Sequence, residues 1–209
     1  MAIQTEEPEI PTQGWNGVQA LINASSQGSN LVFLCIVLAC LVLGVDLIGK
    51  LYKNSLTVGV SRTEFFLAKS FVLASIALLQ LIASLVIAFI PATILNGFGT
   101  MPDGFIGNLL ITISLQFLCL LAWLSIVSFI LYVSHSYLAV FIGYLVSSIL
   151  LSIPILVFPD IEILRYLILD FAYAMTTNSQ AILYTIIVCV SVILFFSFSG
   201  LIIFKKKSL

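Results

Sequence analysis

The stretch of this chain that comes closest to a known chemical motif runs from Gly44 to Leu51 and reads GVDLIGKL. Two glycines separated by four residues, with a lysine after the second, have the spacing of a phosphate-binding loop. That loop also needs Ser or Thr after the lysine, to hold magnesium, and a strand-to-helix turn that aims its amides at the phosphates. Here Leu51 takes the place of the hydroxyl, and the glycines end an apolar helix. We therefore predict that this chain does not bind ATP itself.

The remaining candidates for catalysis or metal binding are isolated in the sequence. The single histidine, His135, lies in a Ser-His-Ser-Tyr turn and is expected to be a solvated residue at a membrane interface. No HExxH, GxSxG or paired intramembrane carboxylates appear, so the sequence predicts a non-catalytic protein without a cofactor or metal of its own. The cysteines lie in apolar stretches without a CxxC pair, which favours buried thiols that pack as small hydrophobic side chains; they are Cys35, Cys40, Cys119 and Cys189.

The composition indicates that the residues named above lie on membrane helices and the turns between them. The chain of 209 residues is 61% hydrophobic and 8% charged, whereas soluble proteins are about 25% charged. A helix that spans a bilayer needs roughly 20 apolar residues. The sequence therefore predicts an all-α integral membrane protein, with a single membrane domain over residues 31–209 and five transmembrane helices, at 31–48, 70–95, 108–133, 137–158 and 181–204.

The distribution of charge predicts how these helices are oriented. Lys and Arg collect at the cytoplasmic ends of transmembrane helices, and seven of the eight basic residues fall on one side when the spans alternate, with Arg165 as the exception. We therefore predict a multi-pass plasma-membrane protein whose N-terminus is outside and whose C-terminus is cytoplasmic. Residues 1–30 are then extracytoplasmic, with a short amphipathic helix from Trp15 to Ile22. Asp46 and Lys50, four residues apart, are expected to pair at the inner interface.

Residues 160–180 interrupt the alternation of spans and turns. Apolar residues recur there at helical spacing between Ile161 and Met175, while Glu162, Arg165 and Asp170 occupy other positions. The segment is too short and too charged to span a bilayer beside the last helix. We therefore predict an amphipathic external helix that lies in, or dips into, the outer leaflet.

Residues 49–69 form a long polar and basic segment between two spans. Gly59 can end a short helix, because glycine tolerates positive φ. Ser61 is a suitable N-cap, and Glu64 three residues later completes a capping-box pattern at the start of the next helix. The tendency of basic residues to lie inside explains the charges of this segment, but not its length or its capped turn.

The residues of this segment resemble the cytoplasmic coupling region of ABC transporter permeases of the second exporter type. The likeness is to the bacterial group for lantibiotic, bacitracin and other peptide export or immunity, in which an Arg-Asn-x-Leu-x-x-Gly-x-Ser-Arg pattern precedes an aromatic residue and a lysine. Here Lys53 replaces the first arginine of that pattern. Such permeases usually have six spans and begin inside, so the resemblance, which covers residues 31–209, implies that the first helix is missing. The matching residues are Lys53-Asn54-Ser55-Leu56, Gly59-Val60-Ser61-Arg62, Phe65-Phe66 and Lys69.

The resemblance also implies an assembly and a mechanism. Two permease subunits, as a homodimer or heterodimer in membrane lipid, would bind two copies of an ABC ATPase subunit, which binds and hydrolyses the ATP; no nucleic-acid partner is implied. Arg62 and Lys53 would pair with acidic residues of the ATPase, while Tyr52, Val60 and Phe65 would supply apolar contact, and the external helix would cap the translocation path. The expected cargo is a peptide, an antimicrobial or another amphipathic molecule. The implied ATPase-coupling residues are Lys53, Asn54, Gly59, Val60, Ser61, Arg62, Glu64, Phe65 and Lys69.

Two other classes of function stay open from the sequence. An ion-coupled secondary transporter is disfavoured, because coupled carriers generally need ionisable groups near the middle of the membrane and the predicted spans have none there. A non-transporting membrane scaffold or immunity protein is the other alternative.

Overall fold

The structure, a computed structural model, describes residues 15–206. The predictions that fall on residues 1–14 and 207–209, including the acidic N-terminal segment and Lys207, lie outside the described residues. The described part of the chain folds into helices joined by turns and short irregular segments, without a strand. The elements in chain order are α1 (Gly17–Ser25), α2 (Gly28–Ala39), a π-helical turn (Cys40–Gly44), α3 (Val45–Ile48), α4 (Tyr52–Thr57), α5 (Arg62–Asn96), α6 (Phe105–Ser134), α7 (Tyr137–Val157), two 3₁₀ helices (Glu162–Ile168 and Tyr173–Met175) and α8 (Ser179–Lys206).

Five helical segments are long and apolar enough to cross a bilayer, namely Asn30–Ile48, α5, α6, α7 and α8. This agrees with the five spans predicted from the sequence and is consistent with a multi-pass membrane protein. Helix α5 begins at Arg62, well before the predicted start of its span, because the Ser61 cap starts the helix inside the polar segment. Its 35 residues make a helix roughly 50 Å long, whereas the hydrocarbon core of a bilayer is about 30 Å thick.

Helix α6 is the most buried span of the bundle, and α8 packs along it. Helix α6 is apolar on all sides, which is typical of a helix surrounded by others. Leu120, Ile126, Val127 and Leu131 of α6 are almost completely buried. Helices α2, α5 and α7 pack against α6. Helix α7, which follows α6 through a turn of two residues, leaves most of its apolar surface exposed. Exposed apolar surface of this kind suits lipid or a second membrane subunit.

The two ends of the bundle differ in charge. We call one the basic end, because it carries α4, the turn between α6 and α7 and the end of α8 with Lys205. We call the other the acidic end; it holds α1, the turn at 97–104 and residues 158–178, with Asp103 and Glu162 among its carboxylates. Arg165 is the one cationic side chain at the acidic end in the described part of the chain. All other basic residues of the described part lie at the basic end, as the sequence predicts, together with Asp46 and Glu64.

Helix α1 agrees with the predicted short amphipathic helix. Asn16 caps it by accepting a hydrogen bond from the amide of Gln19 at 2.8 Å. Its apolar residues Val18 and Ala20 are buried, and its start is joined to the end of α5, where the Gly17 amide donates to the Gly97 carbonyl at 3.0 Å. The helix therefore packs on the bundle as part of the acidic end.

The external segment departs from the single amphipathic helix that the sequence predicts for residues 160–180. It is broken into two 3₁₀ helices, and Leu169 between them has a left-handed backbone with φ of 57°. This turn brings the side chains of Leu169 and Phe171 into the bundle, where they are 2% and 0% exposed. A regular helix lying on the surface cannot bury two large side chains so close together in the sequence and still leave Glu162 in solvent, so burial overrides the helical periodicity.

Candidate functional site

The candidate site at the basic end is built from α4, the turn that follows it and the first residues of α5. Lys50 has a φ of 56° and Gly59 a φ of 103°, so the chain reverses once before α4 and again after it. A Cβ atom at Gly59 would meet nothing within 4 Å. The glycine is required for its backbone conformation rather than for space, as the sequence predicts.

The predicted capping box at Ser61 is present. The Ser61 hydroxyl accepts a hydrogen bond from the Glu64 amide at 3.2 Å, and the Glu64 carboxylate accepts one from the Ser61 amide at 2.8 Å. These two bonds satisfy donors that would otherwise be unpaired at the start of α5. They fix the direction in which α5 leaves the turn.

Aromatic side chains from four parts of the chain meet immediately behind α4. The ring of Tyr52 lies edge-on to Phe204 at 5.8 Å and to His135 at 6.2 Å, between ring centroids. Phe66 contacts Tyr132 at 5.1 Å, and Tyr132 contacts Phe204 at 5.1 Å. Such pairs add about 0.5–1.5 kcal/mol each beyond the burial of their surface. We call this set the aromatic cluster; its members are Tyr52, Phe65, Phe66, Tyr132, His135 and Phe204.

The aromatic cluster corrects three expectations from the sequence. Tyr52 and Phe65, expected to contact an ATPase, are 9% and 6% exposed, so their side chains face the interior of this chain. His135, expected in solvent, is half-buried with its ring against Tyr52. All three differences arise because α4 folds back onto the ends of α5, α6 and α8, where apolar rings gain more from mutual contact than from water.

Arg62 links the start of α5 to the end of α8. Its guanidinium Nη1 donates hydrogen bonds to the carbonyl oxygens of Phe204, at 3.0 Å, and Lys205, at 2.8 Å. The last carbonyls of a helix have no intrahelical donor and carry the negative end of its dipole, so a cation is favourable there. Arg62 thus acts within the chain, while its predicted pairing with an ATPase stays a prediction.

Asp46 of α3 pairs with Lys69 of α5, and not with Lys50 as the sequence predicts. The reason is that α3 ends at Ile48 and Lys50 has left-handed backbone geometry, so the spacing of four residues no longer places the two side chains on one helix face. Lys69 also lies over the ring of Phe65, 5.8 Å from its centroid. The ion pair ties the first span to α5.

The turn between α4 and α5 is exposed at the basic end. We call residues 58–61, Val58-Gly59-Val60-Ser61, the coupling tip. Val58 is 85% exposed and Val60 is 38% exposed. Asn54 and Glu64 on either side of the tip are also exposed, and Lys53 is half-buried. An exposed apolar tip with a polar border is typical of a protein–protein contact.

The predicted external residues form a separate site at the acidic end. Glu162 and Arg165 are exposed, whereas Asp170 is half-buried. Arg165 and Asp170 line a cavity of about 290 Å³, which the structure forms together with Tyr166, Ile168, Ala172 and Met175. The segment is fastened to the bundle by Gln116 of α6, whose amide nitrogen donates to the carbonyls of Ser25 and Phe171.

Within residues 15–206, no group of three or more His, Cys, Asp and Glu side chains is placed to hold a metal ion. The chain matches no known protein family, curated protein or solved structure. The contacts at the basic end join a surface turn to four spanning segments, an arrangement that suits the transmission of a displacement. Sequence reasoning missed Tyr132 and Phe204, whose only signal is that aromatic residues favour membrane interfaces.

Proposed function

We propose that this chain is the transmembrane subunit of an ATP-driven ABC transporter. A separate ATPase subunit binds and hydrolyses the ATP and docks on the coupling tip. The chain itself is non-catalytic, and it exports a peptide, an antimicrobial or another amphipathic molecule. The observation that most supports this proposal is the insertion of Tyr52 of α4 into the aromatic cluster, because it connects the surface turn directly to the spanning helices.

The contacts at the basic end support a lever mechanism. A push on α4 moves Tyr52, whose neighbours belong to α8 and to the turn after α6. The same push moves the start of α5, which Arg62 holds to α8 and Lys69 holds to the first span. Because these contacts are packed and partly charged, the helices respond together rather than one at a time.

The charge of the two ends supports the orientation. Lys50, Lys53, Lys69 and Lys205 lie at the basic end, together with Arg62. The positive-inside rule places such an end in the cytoplasm, where an ATPase reaches the coupling tip. The acidic end then faces outside, in agreement with the predicted arrangement of a bacterial plasma-membrane protein. The external segment, with its cavity beside Asp170, covers the outer end of the helices.

The exposed apolar surface of α7 supports a second permease subunit. Less of α7 is buried than of any other candidate span in the described part of the chain, with 6% of its most apolar stretch buried. Leu145, Ile149 and Leu156 are among its exposed residues. A second copy or a related subunit, surrounded by lipid, covers such a face in the proposed assembly.

Binding of an ABC ATPase, sought among the genes adjacent to the one for this chain, tests the proposal. We expect the purified chain, in detergent, to capture that ATPase, and we expect Val58→Glu to weaken the capture at least tenfold, because a buried charge replaces an apolar contact. Met101→Glu is the matched control, since Met101 is also an exposed apolar residue but lies at the acidic end. Capture that is absent for the unmodified chain, or unchanged by Val58→Glu, would contradict the proposal.

A further inference from the structure

A cavity of about 210 Å³ lies between α5, α6 and α8, on the membrane side of the aromatic cluster. Phe66 and Tyr132 belong to both, so the cluster forms one wall of the cavity. The cavity extends from there along α5 to Ala74, along α6 to Leu121 and along α8 to Ile193. It therefore occupies the half of the bundle nearest to the basic end.

The lining of the cavity is apolar except for hydroxyl groups. Four serines from three helices face it: Ser70 on α5, Ser125 and Ser128 on α6, and Ser197 on α8. Ser125 donates its hydrogen to the carbonyl of Ala122 at 2.7 Å, which leaves its oxygen able to accept a further bond. Hydroxyl groups in an apolar surrounding gain from a polar partner. All of the lining residues are uncharged, so an ionised group in the cavity would lose its hydration without compensation.

Gly200 of α8 keeps part of the cavity open. A Cβ atom there would lie 3.6 Å from the rings of Phe66 and Tyr132 and 3.8 Å from the backbone of Phe129, which are ordinary contact distances. Alanine therefore fits at this position, and a longer side chain would press on Phe66 and Tyr132, which line the cavity. Gly200 offers a way to fill the cavity from one residue.

We propose that this cavity binds the uncharged end of an amphiphilic molecule, such as a ring or short chain that carries one hydroxyl or carbonyl group. An apolar cavity of about 150 Å³ in another protein holds benzene, so about 210 Å³ holds one ring with a polar substituent. The serine hydroxyls bond that substituent, and the leucine and phenylalanine side chains contact the apolar part of the molecule. Because the bound molecule contacts Phe66 and Tyr132, it also affects the coupling between the ATPase and the spanning helices. This effect rests on the proposed function. The binding itself does not.

Photolabelling of the purified chain in nanodiscs tests the binding. The probes are a diazirine-bearing octanol, the corresponding octylamine, and a phospholipid with the diazirine in its acyl chain, with labelled peptides located by mass spectrometry. We expect the octanol probe to label the cavity-lining segments of α6 and α8, unlabelled octanol to compete, and octylamine at neutral pH to label at least tenfold less. The phospholipid probe is expected to label the outer faces of the helices.

Variants assign the label to the cavity. Gly200→Leu is expected to reduce labelling by octanol at least tenfold, and the double variant Ser128→Ala with Ser197→Ala several-fold. The matched controls are Gly107→Leu, at an exposed glycine of α6 with open space around it, and Ser191→Ala, at an exposed serine of α8. Both controls are expected to label like the unmodified chain. If Gly200→Leu does not fold, the double serine variant and its control Ser191→Ala carry the test alone.

Two results would overturn the inference. One is octanol labelling that Gly200→Leu and the double serine variant leave unchanged. The other is labelling of the same segments by the phospholipid probe without competition from octanol, which would make the cavity a slot for acyl chains. Because the assay uses this chain without an ATPase, failure to capture an ATPase and failure to bind octanol are separate outcomes.

Discussion

Arg62, the first residue of α5, donates a hydrogen bond of 2.8 Å to the carbonyl oxygen of Lys205 at the end of α8. The two residues are 143 positions apart in the chain, so this bond closes the basic end between the second and the last span. A charged donor at a helix C-terminus hydrogen-bonds the unpaired carbonyls and interacts favourably with the negative end of the helix dipole. The basic end therefore depends on a cation for its own structure.

Replacement of Arg62 by alanine is expected to lower the free energy of unfolding by about 1–3 kcal/mol, because hydrogen bonds from a charged donor contribute that much. Unfolding temperature in detergent is the measurement. Arg165→Ala is the control, since Arg165 is an exposed arginine at the acidic end. Equal unfolding temperatures for Arg62→Ala and the unmodified chain would mean that the bonds to α8 contribute nothing.

The ion pair between Asp46 and Lys69 predicts a coupled response. Asp46→Asn and Lys69→Met are each expected to destabilise the chain, while the double variant loses less than the sum, with a coupling energy of about 1 kcal/mol. The control is the same comparison of single and double variants with Lys50→Met in place of Lys69→Met. There the stability losses of the two single variants are expected to add. Coupling of Asp46 to Lys50 instead would restore the pairing expected from the sequence.

Replacement of Gly59 is expected to lower stability because of the backbone conformation at this position, and not because of neighbouring atoms. Gly59→Ala is expected to destabilise by about 1–3 kcal/mol, because an L side chain is strained at a φ of 103°. Gly107→Ala provides the contrast: Gly107 has similarly open space but lies in α6, where alanine is favoured by about 0.5–1 kcal/mol. Urea unfolding measures the change in the free energy of unfolding for both variants, which is expected to be a loss for Gly59→Ala and a gain for Gly107→Ala. An unchanged free energy of unfolding in Gly59→Ala would contradict the strained turn.

Gln116 predicts how the external segment is held. Gln116→Leu removes the donor to the Ser25 and Phe171 carbonyls, so amide hydrogen exchange is expected to rise at least tenfold in residues 169–176. Gln80→Leu is the matched control, since Gln80 of α5 donates instead to the Leu31 carbonyl at 2.8 Å. Exchange that rises equally in both variants would indicate general loosening and not the loss of this attachment.

Tyr52 tests the lever within the proposed complex. Tyr52→Ala removes the ring that joins α4 to the aromatic cluster, so ATP hydrolysis by the bound ATPase is expected to continue while export falls at least tenfold. Tyr52→Phe keeps the ring and is expected to export normally. Normal export by Tyr52→Ala, with the protein folded, would show that force reaches the helices by another route.

The spans and the capped turn could be predicted from the sequence, because each depends on neighbouring residues. Apolar length places the five helices, and Ser61 with Glu64 starts α5. The partners of Asp46 and Arg62 could not be predicted, because they come from helices distant in the chain. The external segment was predicted as one helix because periodicity does not record which of its apolar residues, such as Leu169, the bundle buries.

The length of α5 has a consequence for the membrane around it. Because its 35 residues exceed the hydrocarbon thickness of an ordinary bilayer, the helix leans or projects, and thicker lipid draws it upright. Helix tilt sets where Ser61 and the adjoining valines stand relative to the headgroups. Acyl-chain length is therefore a physical variable that acts on this protein, and reconstitution in short-chain and long-chain lipids is expected to give different depths for a spin label at position 58.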